Sequence, residues 1–171
     1  MVKRNIIPTA VVLTVVVAAI TTVTIATSFN LDTQVFAKHE LNGTLSGQQE
    51  VPPVDTMATG AAEFLPILPS NETVDFSINA TSIEGVTAGH IHSGIEGENG
   101  PIVVTLFQFD PAQNEVTERG TITADMLEGA MEGMSISDLL TAMKNGSTYV
   151  NIHTEQNPDG EIRGQITSPY N

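Results

Sequence analysis

From residue 38 onward, apolar and polar positions alternate in short runs broken by proline, glycine and asparagine. A period of two sends successive side chains to opposite faces, which is the pattern of a half-buried strand. Thr73–Ala80 shows it most clearly: Val74, Phe76, Ile78 and Ala80 alternate with Thr73, Asp75, Ser77 and Asn79. Leu41–Leu45 and Ala61–Leu65 read the same way, and Val116–Thr123 reads as a shorter, more polar strand. Ile102–Phe109, entered through Gly100-Pro101, is almost continuously apolar, which predicts a central strand buried on both faces. Pro52-Pro53, Pro66, Pro69, Pro111 and Pro158 fall in predicted connections, since proline cannot donate to a ladder.

One stretch departs from period two. Thr123–Lys144 is rich in Ala, Met, Leu and Glu, which favour helix. Ser135 with Asp138 forms an N-cap pattern and Asn145-Gly146 a C-cap pattern, so a helix is predicted at 136–144, with a turn of helix at 124–128. The last unit reads as a hairpin of Tyr149–Thr154 and Glu161–Thr167. Keeping Val150, Ile152, Ile162 and Ile166 on one face sets His153 opposite Arg163 and Asn151 opposite Gln165 across a loop at 156–160, with Arg163 on the outer face. The predicted fold is all-β: a single Greek-key-like β-sandwich or barrel of about eight strands, with one short helix before the C-terminal hairpin.

The N-terminus reads differently. Lys3 and Arg4 precede an uncharged apolar run from Ile6 to about Phe29, and Val35-Phe36-Ala37 offers a small-residue cleavage site. That is the layout of a secretory signal peptide. The run also approaches the ~20 residues that span a bilayer, so an uncleaved N-terminal membrane anchor is the alternative. Residues 1–37 are expected to be one or the other, and 38–171 the exported domain, secreted or held at the cell surface with membrane contact only through that segment. The 171-residue chain has a net charge of −14, and 19 of its 20 acidic residues lie beyond position 37. Such a surface repels nucleic acid and attracts cations.

Cysteine is absent, which removes disulfides, thiol nucleophiles and thiolate metal sites. Sequons at Asn42, Asn71, Asn79 and Asn145 are compatible with an exported surface. Ser93 beside His92 lacks the Gly-x-Ser-x-Gly elbow, so nothing points to a hydrolase.

The chain has only four histidines, and three of them sit in GHIHSG (89–94) and YVNIHT (149–154). Strand parity sends His90 and His92 to the side opposite Ile91, and His153 to the side opposite Ile152. If the two strands are neighbours, three imidazoles meet beside Asn151 and offer three nitrogens to copper or zinc. Glu96, Glu98, Glu155 and Glu161 are within reach as a carboxylate ligand or outer partner. The competing reading is a polar network of His90, His92, Tyr149, Asn151 and Arg163 that holds no ion. Calcium is a weaker expectation for the loops at 96–100 and 157–160, which lack the EF-hand pattern. Met126, Met131, Met134 and Met143 are spaced too irregularly for a Cu(I) site and read as core filling.

Three stretches, LSGQQEVPPVDTMATGAAEF (45–64), AGHIHSGIEGENGPIVVTLF (88–107) and GSTYVNIHTEQNPDGEIRGQI (146–166), closely resemble the CHRD domain, named from chordin and also found alone in exported microbial proteins. The resemblance implies an extracellular, β-rich single domain without an established catalytic activity. It does not carry over chordin's antagonism of bone morphogenetic proteins. The His-x-His string before a Gly-rich loop is also similar to copper–zinc superoxide dismutase, although that family uses more histidine ligands and a disulfide. Three functions stay open: a non-enzymatic exported module binding copper or zinc through His90, His92 and His153; a surface or matrix domain with structural histidines and a protein or glycan partner; and a dismutase-like metalloenzyme.

Overall fold

A computed structural model of the protein describes residues 40–67 and 72–169. The predicted signal or anchor segment, His39 and the Asn71 sequon lie outside the described residues. Among the described residues no helix is long and apolar enough to cross a membrane.

Eight antiparallel strands form one nearly closed, barrel-like sheet: β1 (Leu41–Ser46), β2 (Thr59–Pro66), β3 (Val74–Thr81), β4 (Val86–Ser93), β5 (Ile102–Gln113), β6 (Val116–Ile122), β7 (Thr148–Thr154) and β8 (Ile162–Gln165). Their order across the sheet is β5-β4-β7-β8-β1-β2-β3-β6. Strands β1, β2, β3 and β6 form one antiparallel run, while the β7–β8 hairpin sits between β4 and β1. The barrel, rather than two separate sheets, is the form the predicted architecture takes.

The β3 alternation holds: Val74, Phe76, Ile78 and Ala80 are buried, and their neighbours face outward or sit half-buried. Inside the barrel Leu45, Phe64, Ile91, Val104, Ile122, Val150, Ile152, Ile162 and Ile166 pack with no measurable exposure. Helix α1 (Ile136–Lys144) closes one part of the core with Ile136, Leu139, Leu140 and Met143. Its start is the predicted capping box: Asp138 N–H donates to Ser135 Oγ at 3.3 Å, and Ser135 N–H donates to Asp138 Oδ2 at 2.9 Å. Gly146, just past the helix, has φ +66°, the left-handed conformation that ends helices. Met131 and Met143 are buried and Met126 packs against the core, so these three behave as core filling, whereas Met134 is 42 % exposed and does not.

Two expectations are corrected. Strand β5 is not central; it stands at one end of the sheet order and pairs only with β4. Its apolar residues stay covered because the segment after β6 lies along its free edge. Leu127 bridges to Val104, and Glu128 N–H donates to Val103 O at 2.9 Å. An edge covered by a loop reads in sequence like a buried strand. Pro111 lies within β5, near its exposed end, and Pro66 is the last residue of β2, so neither is in a connection; Pro69 lies outside the described residues.

The C-terminal hairpin keeps its faces but pairs two residues away from the predicted register: Tyr149 faces Gln165, Asn151 faces Arg163 and Ile152 faces Ile162. The cause is Glu161. Its N–H donates to Ile152 O at 2.8 Å, and its carboxylate accepts from Thr56, Thr154 and Asn157. Those bonds hold it as an anchor under a longer loop, outside the ladder. Arg163 is on the outer face as predicted, yet it is 1 % exposed because the loop at 94–100 covers it.

Candidate metal centre

Strands β4 and β7 are neighbours, and their register sets Ala88 against His153, His90 against Asn151 and His92 against Tyr149. Ile91 and Ile152 point into the barrel, so the three imidazoles share the opposite face. Loops cover that face, and His90, His92 and His153 are each 8 % exposed. One ring nitrogen from each lies within 4.8 Å of the other two. Ring centroids stand 4.8 Å apart for His90–His153, 5.6 Å for His92–His153 and 5.9 Å for His90–His92.

Two of the rings are oriented from behind. His92 Nδ1 donates to Gly100 O at 3.0 Å, and His153 Nδ1 donates to Pro158 O at 2.9 Å. A carbonyl only accepts, so in the neutral ring Nδ1 carries the proton and Nε2 keeps a bare lone pair. Both Nε2 atoms are buried without a partner, and so is His90 Nδ1. Three unpartnered buried nitrogens on one patch are an unusual expense for a fold. The polar-network reading is met in part, since His92, Tyr149 and Arg163 are tied to one another and to Gly100, but these three nitrogens are left outside that network.

Their protonation is set by the same burial. Burial, then repulsion from His153 and His92, lowers His90 from 6.5 to about 4. Burial also lowers His92, against the pull of the Gly100 carbonyl, and lowers His153, against the Pro158 carbonyl and Asp159. All three rings are neutral at pH 7, the form that binds metal.

His92 is held on a further side. It stacks on Tyr149 with ring centroids 5.0 Å apart and planes 11° from parallel. Tyr149 Oη accepts from Gly100 N–H at 3.1 Å, so one residue, Gly100, is tied to both rings. The Arg163 guanidinium lies 3.5 Å from the Tyr149 ring centroid, and it also donates to Ile95 O at 3.0 Å and Asn99 Oδ1 at 3.2 Å. The loop at 94–100 is thereby pinned over the site. Gly100 has to be glycine, because a Cβ there would stand 1.6 Å from Ser93 O.

None of the four proposed carboxylates joins the cluster. Glu96, Glu98 and Glu155 are exposed, and Glu161 is committed to Thr56, Thr154 and Asn157. Among the described residues the group with metal-ligand geometry is His90, His92 and His153 alone. The partners behind the rings are backbone carbonyls, which residue-type reasoning cannot find because every residue carries one. Glu50 was also missed. It is 6 % exposed, and burial raises its carboxyl from 4.5 to about 7 against the lowering effects of Arg163 and Asn151.

The family model of the CHRD domain matches residues 41–166, a span that includes every residue of this site. No curated protein and no solved structure matches the chain.

Proposed function

Starting from a chain that belongs to the CHRD domain family, we propose that it is an exported, non-enzymatic module that binds one divalent transition-metal ion, copper or zinc, through His90, His92 and His153. The observation that carries this reading is the pair of backbone carbonyls behind His92 and His153, which leaves two Nε2 lone pairs and His90 Nδ1 buried with no donor to meet them. An ion supplies what those atoms lack. Outer hydrogen bonds from Nδ1 are the usual way a protein aims histidine ligands.

Three neutral nitrogens suit zinc or copper; calcium would ask for oxygen ligands. Ligand nitrogens around a tetrahedral ion stand roughly 3.3 Å apart, given metal–nitrogen distances of about 2.0–2.1 Å. Binding therefore draws the rings together by an ångström or so from a spread of up to 4.8 Å. Three protein ligands leave a position for water. Export is supported by Lys3-Arg4 before the long apolar run.

Calorimetric titration of the chelator-stripped protein with zinc and with copper tests the binding. One site per chain is expected, lost in His92→Ala. No saturable binding of either ion would overturn the reading. Export is tested by finding the protein in the medium or on the cell surface of expressing cells.

A further inference from the structure

The segments 50–54 and 156–160 bound a cleft of about 620 Å³ that His92 also lines. Pro52, Pro53 and Val54 give it an apolar wall, and Glu50, Asn151 and Tyr149 stand among its other lining residues. Glu50 is 6 % exposed and Asn151 3 %. Glu50 Oε1 and Asn151 Oδ1 are both buried without a hydrogen-bond partner. They are close neighbours, because a Cβ placed on Gly160 would stand 2.5 Å from Asn151 Oδ1 and 2.7 Å from Glu50 Oε1.

Once Glu50 is ionised both orphaned atoms are acceptors, and a buried acceptor with no donor is costly. The nearest cation does not supply one. Arg163 directs its guanidinium to Ile95 O, Asn99 Oδ1 and Gln165 Oε1, with its plane over Tyr149. No Lys or Arg is among the described residues that line the cleft, whereas Asp159 adds a second carboxylate. The chain as a whole carries −14. Unmet acceptors, negative charge and an apolar wall together select a charged donor on a short hydrocarbon stem.

We propose that this cleft binds a primary ammonium group, its head on Glu50 and Asn151 and its alkyl stem along Pro52, Pro53 and Val54. The same head is carried by small aliphatic amines and by the lysine side chain of another protein. The site uses no histidine nitrogen and does not rest on the metal reading.

The test titrates the full chain, stripped with chelator and held at about pH 8 so that Glu50 is ionised, with putrescine, N-acetyl-lysine amide and butane-1,4-diol. At least one amine is expected to bind saturably, with no binding of the diol at the same concentrations. Tighter binding of putrescine would assign the cleft to free amines, and tighter binding of the lysine derivative to a protein partner. Glu50→Gln is expected to weaken amine binding about tenfold or more, the loss of a charge-assisted hydrogen bond, while zinc binding is unchanged. The proposal is overturned if neither amine binds, if the diol binds as well as the amines, or if a folded Glu50→Gln protein keeps the wild-type affinity. The comparison of amines with diol is made on the wild-type protein and decides the matter even where the variant fails to fold.

Discussion

Replacing Glu50 with glutamine should alter how the metal-free protein responds to acid. Two buried groups act in opposite directions. His90 titrates at 6.5 ordinarily and at about 4 in the fold, so the unfolded chain takes up the proton first and stability falls as pH drops from 6.5 toward 4. His92 and His153 are lowered too and act in the same sense. Glu50 titrates at 4.5 ordinarily and at about 7 in the fold, so here the folded chain takes up the proton first and stability rises as pH drops from 7 toward 4.5.

At about 1.36 kcal/mol per pKa unit, each of the two effects is worth about 3 kcal/mol in full, or about 2 kcal/mol once solvent screening is allowed for. In the wild type the gain from Glu50 offsets most of the loss from His90. Glu50→Gln removes the gain. Between about pH 7.5 and 4.5 the variant should therefore lose about 2 kcal/mol more stability than the wild type. Urea denaturation of both proteins at the two pH values, with chelator present, measures this double difference, and any pH-independent effect of the substitution cancels. Equal losses in the two proteins would refute the assignment of Glu50 as a carboxyl that the fold holds against ionisation.

Other outcomes follow from the same geometry. His153→Ala removes a hydrogen bond to Pro158 O but also an unpartnered Nε2, so the metal-free melting temperature should fall only modestly; the stabilisation by zinc, ~2.7 kcal/mol at a hundredfold excess over Kd, should vanish in thermal melts. Gly160→Ala should cost about 2–4 kcal/mol by urea denaturation, because φ is +133° and the new Cβ would meet the Asn151 amide at 2.4 Å; a cost below about 0.5 kcal/mol would contradict this. Tyr149→Phe keeps the stack on His92 but leaves Gly100 N–H without its acceptor, and should weaken zinc binding about tenfold in competition with a chromophoric chelator.

What could be read from the sequence was what local rules decide. Parity alone separates His90 and His92 from Ile91, and His153 from Ile152, and the structure places both sets as parity requires. The capping box of Ser135 and Asp138 is equally local, and it starts the helix where expected. The misreadings all depend on distant parts of the chain. Nothing within Ile102–Phe109 shows that Leu127 and Glu128 will lie along its edge. Nothing in the hairpin shows that Thr56, far upstream, will help hold Glu161 out of the ladder. Arg163 is charged and would be placed in water by type alone; its burial requires the loop carrying Ile95 and Asn99 to close over it. Glu50 looks like any surface acid until the loop at 47–54 folds onto β7.

The central claim is that the three histidines exist to hold an ion, and elemental analysis tests it most directly. The protein, prepared without a histidine tag and dialysed against copper and zinc in turn, should retain one ion per chain, and the His153→Ala variant should retain none. A wild-type protein that comes out of dialysis with neither metal would contradict the claim and leave the three unpartnered nitrogens to architecture alone.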